Sequence, residues 1–147
     1  MFFKVNDVQQ FQAQKDFIDT ALVPLLSLDF KEEKIQQSSS ATEFILSLTA
    51  FVEQQFKGRL MLVPPFSYTD QTKAGLPVSL LKEELINAGF KHVIFITSDH
   101  SWTSFSEQID VIWLPSIPLE SMDVGVKKSV LEDQLKQIIP FLTSRWY

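Results

Sequence analysis

At 147 residues, 45% of them hydrophobic and 21% charged, the chain has the composition of one globular domain (1–147), long enough to bury roughly 70% of its unfolded surface. Thirteen basic against eighteen acidic residues leave a formal charge of −5, and the densest basic pair is Lys127-Lys128, so nucleic-acid binding has no electrostatic footing. Cysteine is absent, which excludes disulfides, thiolate zinc sites and cysteine nucleophiles. No apolar run approaches the ~18 residues of a membrane span. Met1-Phe2-Phe3-Lys4 also passes into polar Asn6, Asp7, Gln9 and Gln10 rather than a signal-peptide core, so a soluble cytoplasmic protein without a membrane partner is expected.

Asn6 or Asp7 caps a first expected helix that runs to about Lys15 with Val8 and Phe11 on one face. Residues 20–28 read as a buried strand in which Pro24, having no N–H to donate, favours an edge or a strand end. Ser40-Ala41-Thr42-Glu43 has the form of a capping box. It predicts a helix start there, followed by Phe44, Ile45, Leu48, Phe51, Val52 and Phe56 at helical spacing and closed by Gly58. Leu60 to Val63 is the next strand, stopped by Pro64-Pro65, and Phe66 to Asp70 reads as a loop continuing to Gly75. Pro77 opens a helix whose buried stripe is Leu80, Leu81, Leu85 and Ala88, ended by Gly89.

Val93 to Ile96 are four consecutive apolar residues, too few for a helix and suited to a strand buried on both faces. A short helical segment around Trp102 to Ile109 and a strand over Val111 to Leu114 follow. The last helix begins at Val126 or Ser129 and passes Leu142, with Val130, Leu131, Leu135, Ile138, Ile139 and Leu142 inward and Pro140 kinking or ending it. Strands alternating with helices imply parallel pairing and right-handed crossovers. The expected architecture is a three-layer α/β/α domain with a four-stranded, mainly parallel sheet.

In such a sheet, sites form at the carboxyl ends of the strands. That rim offers Ser27 and Asp29, then Ser67, Tyr68 and Asp70, then Ser98, Asp99 and His100, and last Ser116. Asp29, Ser67, Tyr68, Asp70, Ser98 and His100 are the candidate ligand-binding residues. His100, with Asp99, is the candidate catalytic pair, because an imidazole oriented by a carboxylate works as acid or base near neutral pH. Against a serine nucleophile at Ser98 or Ser101, no glycine lies between Phe90 and Met122 to form a strained elbow. No phosphate-binding glycine motif is present; Ser38-Ser39-Ser40 could hold an anion at a helix start, with simple capping the blander reading.

Lys15-Asp16-Phe17-Ile18-Asp19-Thr20-Ala21-Leu22-Val23-Pro24-Leu25 and Val63-Pro64-Pro65-Phe66-Ser67-Tyr68 resemble the YpiF-like family of small uncharacterised proteins from Bacillus-type bacteria, over nearly the whole chain. The resemblance implies a cytoplasmic Firmicute protein and no particular activity. A more distant resemblance, across about residues 20–115, is to creatininase-type metal-dependent amidohydrolases. It rests on Leu22-Val23-Pro24-Leu25, Leu62 to Tyr68, Ala88 to Ile96 and Ser98-Asp99-His100-Ser101, where His100 matches that family's histidine. The ligand loop of that family is replaced by Leu28-Asp29-Phe30-Lys31-Glu32-Glu33, which has no histidine. His92 and His100 stand at opposite ends of one strand, ~27 Å apart at ~3.3 Å per residue, and cannot share a metal. No metal or cofactor is therefore expected.

The first expectation is a non-catalytic domain that binds a partner protein or small ligand at the strand-end rim. The second is a hydrolase, a degenerate creatininase-like amidohydrolase using His100 with Asp99, Asp29 or Asp70. A third is a homo-oligomer formed through aromatic surfaces.

Overall fold

In the computed structural model, which describes residues 1–147, the apolar segments form one sheet. Its strands are β1 (Thr20–Ser27), β2 (Leu60–Leu62), β3 (Phe66–Tyr68), β4 (His92–Thr97) and β5 (Asp110–Trp113). Every pairing is parallel, in the order β2-β1-β4-β5, with β3 also on β1. The fifth strand comes from the stretch read as a loop. Thr20 to Leu22 face Leu60 to Leu62, and Leu25 to Ser27 face Phe66 to Tyr68, so β2 and β3 are two halves of one edge. Pro64 and Pro65 interrupt that edge because neither has an N–H to donate.

The same break explains Pro24, which lies in an interior strand and not at an edge. The Leu22 carbonyl accepts from Val63 N–H at 2.9 Å, so Leu22 turns its backbone toward the β2–β3 side, and Pro24, two residues on, does likewise. Its missing N–H falls opposite the gap between Leu62 and Phe66, where no ladder bond is lost.

Side chains alternate across the sheet as a period of two requires. Ala21, Val23, Leu25, Val93 and Phe95 point to one core, and Leu22, Leu26, Ile94 and Ile96 to the other. Helices α1 (Val5–Ala13) and α3 (Val78–Ala88), with a 3-10 turn at His100–Phe105 carrying buried Trp102, cover the first face. Helices α2 (Ile35–Gln55) and α4 (Val124–Trp146) cover the second through Phe44, Ile45, Leu48, Val52, Ile138 and Leu142. Each of these fully buried side chains is worth roughly 1.5–3 kcal/mol. The three-layer α/β/α architecture is the expected one, and no helix is long and apolar enough to cross a membrane.

All four helices depart from expectation. Helix α1 starts at Val5 and ends at Ala13, so neither Asn6 nor Asp7 is its cap and it stops short of Lys15. Helix α2 starts five residues before Ser40, so Ser40 caps nothing; its Oγ donates to Glu120 Oε2 at 3.0 Å. Helix α3 buries only Val78, while Leu80 of the expected stripe is exposed. Helix α4 passes through Pro140 to Trp146, although Ile139 remains partly exposed. A proline costs a helix interior about 3 kcal/mol. Ile138 and Leu142, both fully buried on either side of it, offset that cost.

At the amino ends of the strands, Trp146 closes a polar cluster. Its Nε1 donates to Thr20 Oγ1 (2.7 Å), and Thr20 Oγ1 donates to Asp19 Oδ1 (2.9 Å). Arg59 grips both Asp19 oxygens (3.1 and 3.2 Å), with its guanidinium 4.1 Å from the Trp146 ring centre.

Candidate functional site

The strand order places a topological switch between β1 and β4. From β1 the chain leaves through α2 on one face toward β2; from β4 it leaves through the His100–Phe105 turn on the opposite face toward β5. The two loops diverge, and divergence at adjacent parallel strands opens a crevice beyond their carboxyl ends. A cavity of about 280 Å³ lies there. It is walled by Leu25 to Ser27 at the end of β1 and Asp29 beyond it, and by Thr97 at the end of β4 and Ser98 to His100 beyond it. Lys34 at the cap of α2, with Gln37, Ser38, Ala41, Thr42 and Ile45 along one face of that helix, completes the wall.

Local hydrogen bonds fix both loops. Asp29 N–H donates to Ser38 Oγ (2.9 Å), which in turn donates to the Ser27 carbonyl (3.3 Å), so α2 clips the β1 loop. Asp29 Oδ1 accepts from Lys31 N–H at 3.1 Å, forming a tight turn. Beyond β4, Thr97 Oγ1 accepts from Asp99 N–H (3.0 Å), and Asp99 Oδ1 accepts from Ser101 N–H (3.0 Å), starting the 3-10 turn.

Asp99 is turned away from His100. Its Oδ2 accepts from the Tyr68 hydroxyl (2.6 Å) and pairs with Lys73 Nζ (3.4 Å), while Ser101 Oγ donates to Oδ1 (2.6 Å). Lys73 also contacts Ser101 Oγ and lies 4.8 Å from the Trp102 ring centre. Burial alone would raise the Asp99 pKa; the bonds from Ser101 and Tyr68 and the Lys73 charge outweigh it and hold the carboxyl below its usual range. Burial, then the bond to Asp99, pushes the Tyr68 phenol well above its ordinary value. Trp102 Nε1 donates to the Tyr68 oxygen at 2.6 Å, so Asp99, Tyr68, Ser101, Lys73 and Trp102 form one saturated unit.

His100 is exposed, with its ring edge-on to Trp113 at 4.8 Å, and it has no hydrogen bond to a carboxylate. The expected His100–Asp99 pair is thus not assembled. No three His, Asp or Glu side chains converge as a metal-binding group.

Of the residues expected on the rim, Ser27, Asp29, Ser98, Asp99 and His100 meet at the crevice. Tyr68 touches it only through Asp99. Ser67 and Asp70 are exposed on β3 and in the following turn, and Ser116 is exposed beyond β5. The α2 residues were missed because the capping box put Thr42 in a first turn. The signal was present in the spacing 34, 37/38, 41/42, 45, which lines one helical face.

Two crevice side chains have no partner. Thr42 Oγ1 and Ser98 Oγ are both shielded from solvent and bond to nothing in the protein. A helical threonine ordinarily turns back onto the preceding turn, as Thr49 does to the Ile45 carbonyl at 2.8 Å. Thr42 does not, and buried unpaired hydroxyls are uncommon in native proteins.

Fold and crevice together define a doubly wound α/β domain with a polar cleft at its switch point. The chain belongs to the family described as "Protein of unknown function (DUF2487)", matched over residues 9–146. It is 31% identical over 147 residues to "Uncharacterized protein YpiF" of Bacillus subtilis (strain 168), an alignment covering 99% of this chain and 98% of that protein. No solved structure matches. None of these comparisons supports the creatininase-like resemblance. Proline-ended strands and a helix closed by Gly-Phe recur in many parallel α/β sheets and carry little family information.

Proposed function

We propose that this protein binds a small polar ligand in the crevice between the carboxyl ends of β1 and β4, without turning it over. The observation that carries the reading is the pair of unpartnered hydroxyls, Thr42 Oγ1 and Ser98 Oγ, on residues lining one concave site. A buried hydroxyl left unpaired costs about 1–3 kcal/mol, and a ligand that satisfies both recovers that cost on binding. At about 280 Å³ the cavity is near the lower end of small-molecule sites, which favours a metabolite-sized occupant over a protein surface. Lys34, Gln37 and Asp29 supply charge and hydrogen bonds of both kinds, the mixture a polar, hydroxyl- or amine-bearing compound requires.

A binding role also fits the chemistry at the rim. The acid–base pair expected at this rim needs His100 oriented by Asp99, and Asp99 is committed instead to Tyr68, Ser101 and Lys73. The test is ligand-observed NMR with a panel of free amino acids, polyols and simple sugars. A compound that binds the protein should lose about tenfold in affinity in Thr42→Val and in Ser98→Ala, one hydrogen bond each. Binding untouched by both substitutions would sink the reading. Time-dependent consumption of a bound compound, abolished by His100→Ala, would replace it with the hydrolase.

A further inference from the structure

The face of the sheet under α1 and α3 is only half closed. Helix α1 buries Phe11 alone and α3 buries Val78 alone. Between them lies a second cavity of about 600 Å³ that shares no wall with the crevice. Met61 and Val63 of the broken edge form its floor, with Val8 and Phe11 on one wall and Leu81 and Leu85 on the other. The Phe11 and Phe90 rings, stacked at 4.4 Å, close one end.

Of its thirteen lining residues, only Gln12 and Lys15 have polar side chains. No ion pair of the protein includes Lys15. Its stem lies across Gly89, where a Cβ would stand 3.1 Å from Lys15 Cδ, and Gly89 itself has φ +121°. Its ammonium sits 5.9 Å from the Phe11 ring centre, at the boundary between the apolar slot and solvent.

We propose that this slot binds a medium- to long-chain monocarboxylate, the chain along the apolar floor and the carboxylate paired with Lys15 Nζ beside the Gln12 amide. Lys15 is exposed and its ammonium is hydrated when the slot is empty. A neutral hydrocarbon gains nothing from it, whereas a single anionic head matches a single ammonium that has no ion-pair partner in the protein. The volume argues against a docked helix. One turn about 10 Å wide and 5.4 Å long fills roughly 420 Å³, so the slot would take little more than a turn. It lies within the roughly 300–1,000 Å³ of small-molecule sites, with mostly apolar walls and a few placed polar groups.

Displacement of a dansylated undecanoate probe tests the assignment on the full chain. Octanoate, decanoate and dodecanoate, each below its micelle concentration, should displace the probe at one site per chain, strengthening about two- to fourfold per methylene. Lys15→Met keeps the stem and removes the charge. It should weaken decanoate about tenfold and leave decan-1-ol unchanged. Ala88→Trp, at an exposed lining position, should fill the slot and abolish probe binding; if that chain does not fold, the Lys15→Met contrast decides alone. Thr42→Val should leave decanoate binding intact, which separates this site from the crevice. Absent or non-saturable displacement, or decanoate binding indifferent to Lys15→Met, overturns the proposal. A dimer in sedimentation that Ala88→Trp dissociates would do the same, by assigning the slot to a second copy.

Discussion

At the amino ends of the strands, Asp19, Thr20, Arg59 and Trp146 satisfy one another, with both Asp19 oxygens gripped by Arg59 and the Thr20 hydroxyl giving and receiving a bond. At the carboxyl ends the same kinds of group are present, yet Thr42 Oγ1 and Ser98 Oγ stay unpartnered around a cavity. The first rim ties the last helix, Arg59 and the entry to β1 into one block. The second leaves two shielded hydroxyls unpaired on residues that line a cavity. The contrast teaches that polar groups at strand ends have two uses, and bond satisfaction, not residue type, tells them apart.

The comparison is most exposed to a change at the saturated end. Arg59→Ala leaves the nearly buried Asp19 carboxylate without its partner and should cost about 3 kcal/mol in urea denaturation, close to the effect of breaking a buried pair. A loss below half a kcal/mol would mean that this rim is not a structural block.

Tyr68→Phe should come next, at about 2 kcal/mol, because it strips a hydrogen bond from Asp99 and leaves buried Trp102 Nε1 unpaired. That outcome would divide the carboxyl rim into a saturated half around Tyr68 and an open half around Ser98.

The Tyr68–Asp99 unit also has a pH signature. The phenol pKa is raised on folding, so its stabilising effect is full below the ordinary tyrosine value of about 10 and fades as pH climbs through the folded value. The Asp99 pKa is lowered on folding. Its effect is therefore present above the ordinary aspartate value of about 4 and is lost as pH falls through the folded one. Thermal midpoints across pH should fall at both extremes, and Tyr68→Phe should remove the alkaline limb assigned to this residue. An unchanged alkaline limb in that variant would dissolve the unit.

The smallest effect is expected where the rims differ most. Thr42→Val and Ser98→Ala delete no hydrogen bond and remove an unpaired buried hydroxyl, so each should raise stability by about 1 kcal/mol, the lower end of what such a hydroxyl costs. A cost above 1 kcal/mol in either would show that the hydroxyl is already satisfied, and the distinction between the rims would collapse.

Much of the fold was legible because strands and helices write their periods locally. Val93 to Ile96 is a buried strand in any context that supplies two covered faces, and Asp99 to Ser101 caps the turn after it. Punctuation by proline was harder to interpret. Pro24 reads as an edge or a strand end, Pro65 as a stop and Pro140 as a kink or an end, and each is accommodated in place. Pro24 faces a gap in its neighbour, Pro65 only interrupts an edge that resumes at Phe66, and Pro140 sits between two fully buried residues of α4. What a proline costs depends on whether a bond was available to lose there, which lies across the sheet and not along the chain.

The candidate site was half legible for the same reason. Asp29, Ser98, Asp99 and His100 stand at strand ends, and parallel pairing alone brings them to one rim. That Asp99 turns to Tyr68 and Lys73 rather than to His100, and that Thr42 reaches the crevice from the second turn of a helix, are settled by packing. The layers, and the end of the sheet where polar side chains collect, are written along the chain, because burial repeats with the local backbone period. Which hydroxyls find partners is set by the packed fold, because a hydrogen bond is satisfied by groups distant in the chain whose positions no local period records.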